Sequence, residues 1–165
     1  MLHDDELTYA VISSDSNVFG DTIYGNYKRV SEALCLGYNR LGVPAVLAPD
    51  TRKLSGASDE TDLPCFLSTL RYELMVRGRK IVGSAQRRVR RSFLQHGSMP
   101  ISCDREVLAR ATGMNETESL YREMAGIVEF LPQRPSISVI TRHFVASFED
   151  TFGIEFRQRT FALLV

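Results

Sequence analysis

The 165-residue chain has no run approaching the ~18 consecutive apolar residues that a membrane-crossing helix needs. Its acidic opening, Met1-Leu2-His3-Asp4-Asp5-Glu6, has no apolar core of the kind a secretory leader carries, so no signal peptide is expected there. Only three cysteines are present, Cys35, Cys65 and Cys103, too few and too scattered for a disulfide framework or a zinc site. The three histidines, His3, His96 and His143, never fall at metal-ligand spacing, so no metal is expected. Neither Gly-x-x-x-x-Gly-Lys-Ser/Thr nor Gly-x-Gly-x-x-Gly occurs, which removes the two commonest phosphate-cradling loops. A reducing, cytoplasmic setting is the expectation, with any special cysteine acting as a free thiol.

What is present is ordinary in bulk and uneven in detail. Hydrophobic residues make up 44 % and charged residues 24 %, as in a globular protein with room for one domain. The formal net charge is zero, yet no Asp or Glu occurs between Leu74 and Cys103. That stretch holds Arg77, Arg79, Lys80, Arg87, Arg88, Arg90 and Arg91, leaving 13 basic residues against 20 acidic ones elsewhere. A basic stretch in an otherwise acidic chain points to an anionic partner at that place, and the bland alternative is a strand edge guarded by arginine. Only Phe93 adjoins the cluster for stacking, so nucleic acid is not the expected partner.

Periodicity predicts interleaved strands and helices. Glu6–Ile12 alternates as a strand, and Ser13–Tyr24 reads as a loop. Tyr27, Val30, Leu34, Tyr38 and Leu41 recur at helical spacing, with Gly42 as the stop. Val43–Ala48 reads as a short strand, and Pro49–Pro64 as a polar connection. Arg71–Val76 and Arg79–Gln86 flank Arg77-Gly78, a hairpin signal, and Phe93–Ile101 suits a third strand. A last helix carries Ile137, Ile140, Phe144, Phe148 and Phe152 between Pro135-Ser136 and Gly153. No repeat or linker divides residues 1–165, so a single α+β unit is expected.

The segment Gly78-Arg79-Lys80-Ile81-Val82-Gly83-Ser84-Ala85-Gln86 is the most informative. Glycine weakens a strand interior and often marks close approach of a ligand or another backbone. Period two places Lys80, Val82, Ser84 and Gln86 on one face, and Ile81, Gly83 and Ala85 on the other. A lysine beside a glycine-lined gap can hold a phosphate or a developing oxyanion as a compact point charge. The bland alternative is a surface hairpin with a bulge at Gly83.

Together with Leu94-Gln95-His96-Gly97-Ser98, this segment resembles the central signature of the lipoate–protein ligase A and octanoyltransferase family. Leu2-His3-Asp4-Asp5-Glu6-Leu7-Thr8-Tyr9 is similar to the segment after the family's Arg-Arg-x-Thr-Gly-Gly motif. Tyr27–Gly42 resembles the helix that follows, and Phe148–Ile154 the C-terminal helix and its next strand. The resemblance implies a mixed sheet with flanking helices, like biotin–protein ligases and class II aminoacyl-tRNA synthetases. The family motif would lie just upstream of His3, so the domain is expected to be N-terminally incomplete. It also implies acyl transfer of octanoate or lipoate to a lysine of a lipoyl domain or the glycine-cleavage H protein.

Cys65-Phe66, Tyr72-Glu73 and Gly78-Arg79-Lys80 resemble the cysteine-dependent octanoyltransferases, in which a thiolate takes octanoate from acyl carrier protein. Cys65 and Lys80 are then the expected catalytic pair, since a thiolate accepts acyl groups well and a nearby ammonium favours it. A small buried hydrophobe is the alternative for Cys65. Substrate contacts are expected at His3, Gly78, Arg79, Gly83, Ser84, Ala85, Gln86, His96 and Gly97, and partner contacts at Arg87, Arg88, Arg90 and Arg91. No tightly bound cofactor is implied. An ATP-dependent ligase, using Mg and an acyl-adenylate, is the alternative within the family. A binding module, or half of a split enzyme completed by a partner chain, is the alternative outside catalysis.

Overall fold

A computed structural model describes residues 5–20, 22–48, 72–104, 106, 107, 110 and 124–159. Two three-stranded sheets and two long helices make up the described residues. In the first sheet, β1 (Glu6–Ser13) and β5 (Gly83–Val89) flank β6 (Ser92–Pro100), all antiparallel. In the second, β2 (Val46–Leu47) pairs with β3 (Leu74–Val76), which pairs with β4 (Arg79–Lys80). The α+β class expected from the sequence is the one observed.

The strand pattern decides which side of the first sheet is covered. Along β1, Leu7, Tyr9 and Val11 pack against the core while Thr8, Ala10 and Ile12 are exposed, as alternation requires. Registration carries this across β6 and β5, so Tyr9, Gly97 and Ser84 share a row, as do Ala10, His96 and Ala85. One side therefore meets the helices, while on the other Thr8, Ala10, Ile12, Ala85, Leu94 and His96 are exposed.

Helix α2 (Ile23–Leu41) and helix α3 (Ile137–Phe152) form the covering layer. The Thr22 hydroxyl accepts from the Gly25 amide at 3.0 Å to open α2, and Gly42 closes it at φ 96°. Ser136 and Gly153 do the same for α3. The helices meet where Gly37 faces Phe144; a Cβ there would come within 2.5 Å of the ring, so only glycine permits this approach. Val30, Leu34 and Tyr38 from α2 join Ile140, Phe144, Phe148 and Phe152 from α3 in the core, while Ile137 stays exposed.

Several elements differ from the sequence reading: the strand expected over Arg71–Val76 is Leu74–Val76, and α2 already begins at Ile23 within the expected loop. The expected loop Ser13–Tyr24 contains a one-turn helix α1 (Ser16–Phe19), because the Asp15 carboxylate accepts from the Asn17 amide at 2.9 Å and Phe19 can bury against Phe93 and Phe152. The strand expected over Val43–Ala48 shortens to Val46–Leu47. The strand expected over Arg79–Gln86 is broken at Ile81-Val82, where the chain leaves one sheet for the other. Both crossover residues are buried, so hydrophobic alternation gave no sign of the break. The connection 49–64 lies outside the described residues.

Candidate functional site

The Arg77-Gly78 turn creates the first part of the site. Both residues have positive φ, 50° and 78°, the pattern of a two-residue hairpin turn that matches strand twist. The turn folds Lys80 back towards Glu73, and Lys80 Nζ lies 2.7 Å from Glu73 Oε1. Both side chains are buried, with only 7 % and 6 % of their surfaces exposed, so an ammonium and a carboxylate face each other away from bulk water. Such a pair is held by its geometry: removing one partner takes a close counter-charge from the other in a poor solvent.

Arg79 points elsewhere. Its guanidinium donates to Glu129 at 2.6 Å and lies over the Phe130 ring, while the other oxygen of Glu129 accepts from the Gly126 amide. The 3-10 turn Ile127–Phe130 is thereby fixed beside β4, and the Ala125 amide donates to the Lys80 carbonyl at 2.9 Å. Lys80 is clamped through both its main chain and its side chain.

Beyond the crossover, strand alternation sends the motif to two sides of the sheet. Ser84 and Gln86 turn to the helices. The Ser84 hydroxyl lies 2.7 Å from the Tyr9 hydroxyl, Gln95 donates to that hydroxyl at 3.3 Å, and Gln86 donates to Gln95 at 3.1 Å. Burial pushes the Tyr27 hydroxyl up, reinforced by the charges Tyr9 and Glu73 would carry and opposed by a Ser84 hydrogen bond. Burial likewise raises Tyr9, against its bonds to Ser84 and Gln95. Both tyrosines stay protonated, leaving a neutral polar network beside the charged pair.

Gly97 makes that network possible. A Cβ at this position would lie 2.4 Å from the Gly83 carbonyl oxygen and 2.7 Å from the Tyr9 ring. The close approach inferred from the two glycines is thus one of strand to strand and ring to strand. On the side away from the helices, His96 stands exposed between Ala10 and Ala85, a row with small neighbours. Ser98, in register with Thr8 and Gly83, donates to the Glu6 carboxylate on the same side.

The structure places Lys80 and Gly83 on either side of the sheet crossover, Ser84 and Gln86 along β5, Gly97 opposite Ser84, Ala85 and His96 on the other face, and Gly78 in the turn before β4. Arg87, Arg88, Arg90 and Arg91 sit at the far tip of the β5–β6 hairpin. Cys65 and His3 lie outside the described residues. Sequence reasoning missed Glu73, Tyr9, Tyr27 and Gln95. Only Glu73 left a signal, as the last acid before the acid-free stretch and within reach of Lys80 across a hairpin.

Comparison with known proteins gives one answer. Residues 1–149 match the lipoyl protein ligase A/B catalytic domain. Octanoyltransferase LipM of Exiguobacterium sp. is 36 % identical over 98 % of the chain, and that of Moorella thermoacetica 32 % identical over 94 %. The chain spans 62 % and 59 % of the lengths of those two relatives. Among solved structures, a lipoate-protein ligase A bound with ATP superposes with a TM-score of 0.70 at 21 % identity, over 96 % of this chain and 57 % of that one. A putative lipoate protein ligase from T. acidophilum with bound lipoic acid gives 0.67, also at 21 %, over 96 % and 56 %. These structures share the fold, and the match over residues 1–149 settles the kinship: the chain belongs to the lipoyl protein ligase A/B catalytic-domain family.

Proposed function

We propose that the protein transfers octanoyl groups in protein lipoylation through a thioester on Cys65. The observation that carries this reading is the similarity to octanoyltransferases across 98 % of the chain, a span that includes Cys65 to Gln86. In this reading the Cys65 thiolate attacks the carbonyl of an octanoyl thioester on acyl carrier protein. The tetrahedral intermediate collapses, and the carrier thiolate leaves and takes up a proton. The lysine amine of a lipoyl domain or H protein then attacks the Cys65 thioester, loses a proton and forms the amide, and the Cys65 thiol is released.

The buried Lys80 ammonium supports the reading, because a fixed cation in a low-dielectric place stabilises an oxyanion without reorganising. The family resemblance assigns His3, Gly78, Arg79, Gly83, Ser84, Ala85, Gln86, His96 and Gly97 to substrate binding. Glu73 fixes where the cation sits.

Incubation with octanoyl acyl carrier protein tests this. The expected product is one octanoyl adduct on the chain, labile to hydroxylamine, lost in Cys65→Ser and kept in Cys35→Ser and Cys103→Ser. Full octanoyl transfer by Cys65→Ser would overturn it. Activity that requires ATP, Mg and free lipoate or octanoate would instead mark a ligase.

A further inference from the structure

The β5–β6 hairpin ends in a surface that the chemistry above does not use. Ile12, Leu94 and Arg87 form one cross-strand row on the face away from the helices, with Val89 two residues beyond Arg87. Ile12 is 75 % exposed, Val89 57 % and Leu94 36 %. Arg90 and Arg91 form the turn beside them, also exposed. Among the described residues, no carboxylate pairs with Arg87, Arg90 or Arg91. Arg88 faces the other way and donates to the Arg90 carbonyl at 3.3 Å, shaping the turn.

Arg90 has φ 55°, a left-handed conformation that strains a non-glycine residue. Glycine would serve the turn better, so an arginine there is not explained by the fold. An exposed apolar centre with a cationic rim, lacking aromatic side chains for base stacking, has the composition of a protein-docking surface for an acidic partner.

We infer that this hairpin tip docks the acidic carrier domain that delivers the acyl group, and not the domain that receives it. The inference rests on the acyl-transfer reading above. Strand β5 runs from the site to the tip: Arg87 lies four residues past Gly83 and Val89 six. At roughly 3.3 Å per residue, the surface begins ~13 Å and ends ~20 Å from Gly83. An acceptor lysine has only its four-carbon stem, so the domain that carries it must itself sit over the site. A thioester on a long flexible prosthetic arm can span that distance from the tip.

The test uses the full chain carrying Cys65→Ser, so that binding is read without chemistry. Octanoyl acyl carrier protein is titrated against it with and without Arg90→Gly plus Arg91→Ser. An apo lipoyl domain, duplex DNA and phosphatidylglycerol vesicles serve as comparators. Removing the two arginines should weaken the carrier roughly tenfold at low salt, mainly through the on-rate, and leave the lipoyl domain unchanged. The urea midpoint should hold or rise, because Arg90→Gly removes the left-handed strain. Val89→Ser should weaken the carrier as well, without altering the salt dependence.

Unchanged carrier affinity overturns the inference. So does an equal loss for the lipoyl domain, or tighter, arginine-dependent binding of DNA or vesicles. The two readings fail separately. An octanoyl adduct on wild-type Cys65 with arginine-indifferent docking sinks the surface alone. Arginine-dependent carrier binding with no adduct sinks the chemistry alone.

Discussion

Glu73 Oε1 and Lys80 Nζ meet at 2.7 Å across the Arg77-Gly78 turn, both buried. Breaking a buried pair by deleting one partner costs about 3–5 kcal/mol, whereas replacing both with apolar groups can be nearly neutral. Glu73→Ala should therefore lower stability by that order, and adding Lys80→Met should restore most of it. Urea unfolding of the two singles and the double measures the coupling; strictly additive losses would contradict it.

Two glycines should respond to alanine for different reasons. Gly97→Ala must displace the Gly83 carbonyl or the Tyr9 ring, an overpacking cost of about 1–3 kcal/mol. Gly78→Ala meets nothing within 4 Å and carries only the left-handed backbone cost, about 1–2 kcal/mol. Tyrosine fluorescence and near-ultraviolet dichroism should change in the first variant, through Tyr9, and not in the second.

The acid limb of stability should depend on Asp5. The Arg134 hydrogen bond holds its carboxyl below the usual carboxylate range, helped by Ser102 and opposed by burial. A lowered folded value means the unfolded chain binds the proton first. The contribution is full above about pH 4 and is lost as pH falls through the folded value. Asp5→Asn should flatten the urea midpoint between about pH 5 and pH 3 relative to wild type. An unaltered pH profile would remove Asp5 from the explanation.

Cys35 should behave as a structural thiol. Burial raises it, with an Asn39 hydrogen bond acting in the opposite sense, and its Sγ lies 3.3 Å from the Ala45 carbonyl oxygen. Iodoacetamide near pH 8 should modify Cys35 slowly in the folded chain and rapidly in urea, as read by peptide mass mapping. Fast labelling of Cys35 in the folded state would count against its structural role.

Much of the architecture could be read from local chemistry. Gly42, Ser136 and Gly153 end the helices where capping requires, and Arg77-Gly78 turns the chain as its glycine suggests, whereas the Thr22 cap lies inside the stretch read as a loop. The family was legible because its motif is contiguous in sequence. The division of that motif between two sides of a sheet was not. Ile81 and Val82 are buried in a crossover, and a run of buried residues erases the period-two signal. Nor could Tyr9 and Gln95 announce themselves, because Tyr9 meets Ser84 across 75 residues of chain and Gln95 meets Tyr9 across 86.

The Tyr38 hydroxyl donates to the Ile81 carbonyl at 3.1 Å, deep in the core. Ile81 is the residue at which the chain passes between the sheets, and a bare two-residue passage would be a swivel. Anchored to the last turn of a long helix, it is a weld. Lys80 on one side and Gly83 on the other then move with α2 as one body, so thermal motion can shift the whole site without changing the spacing within it.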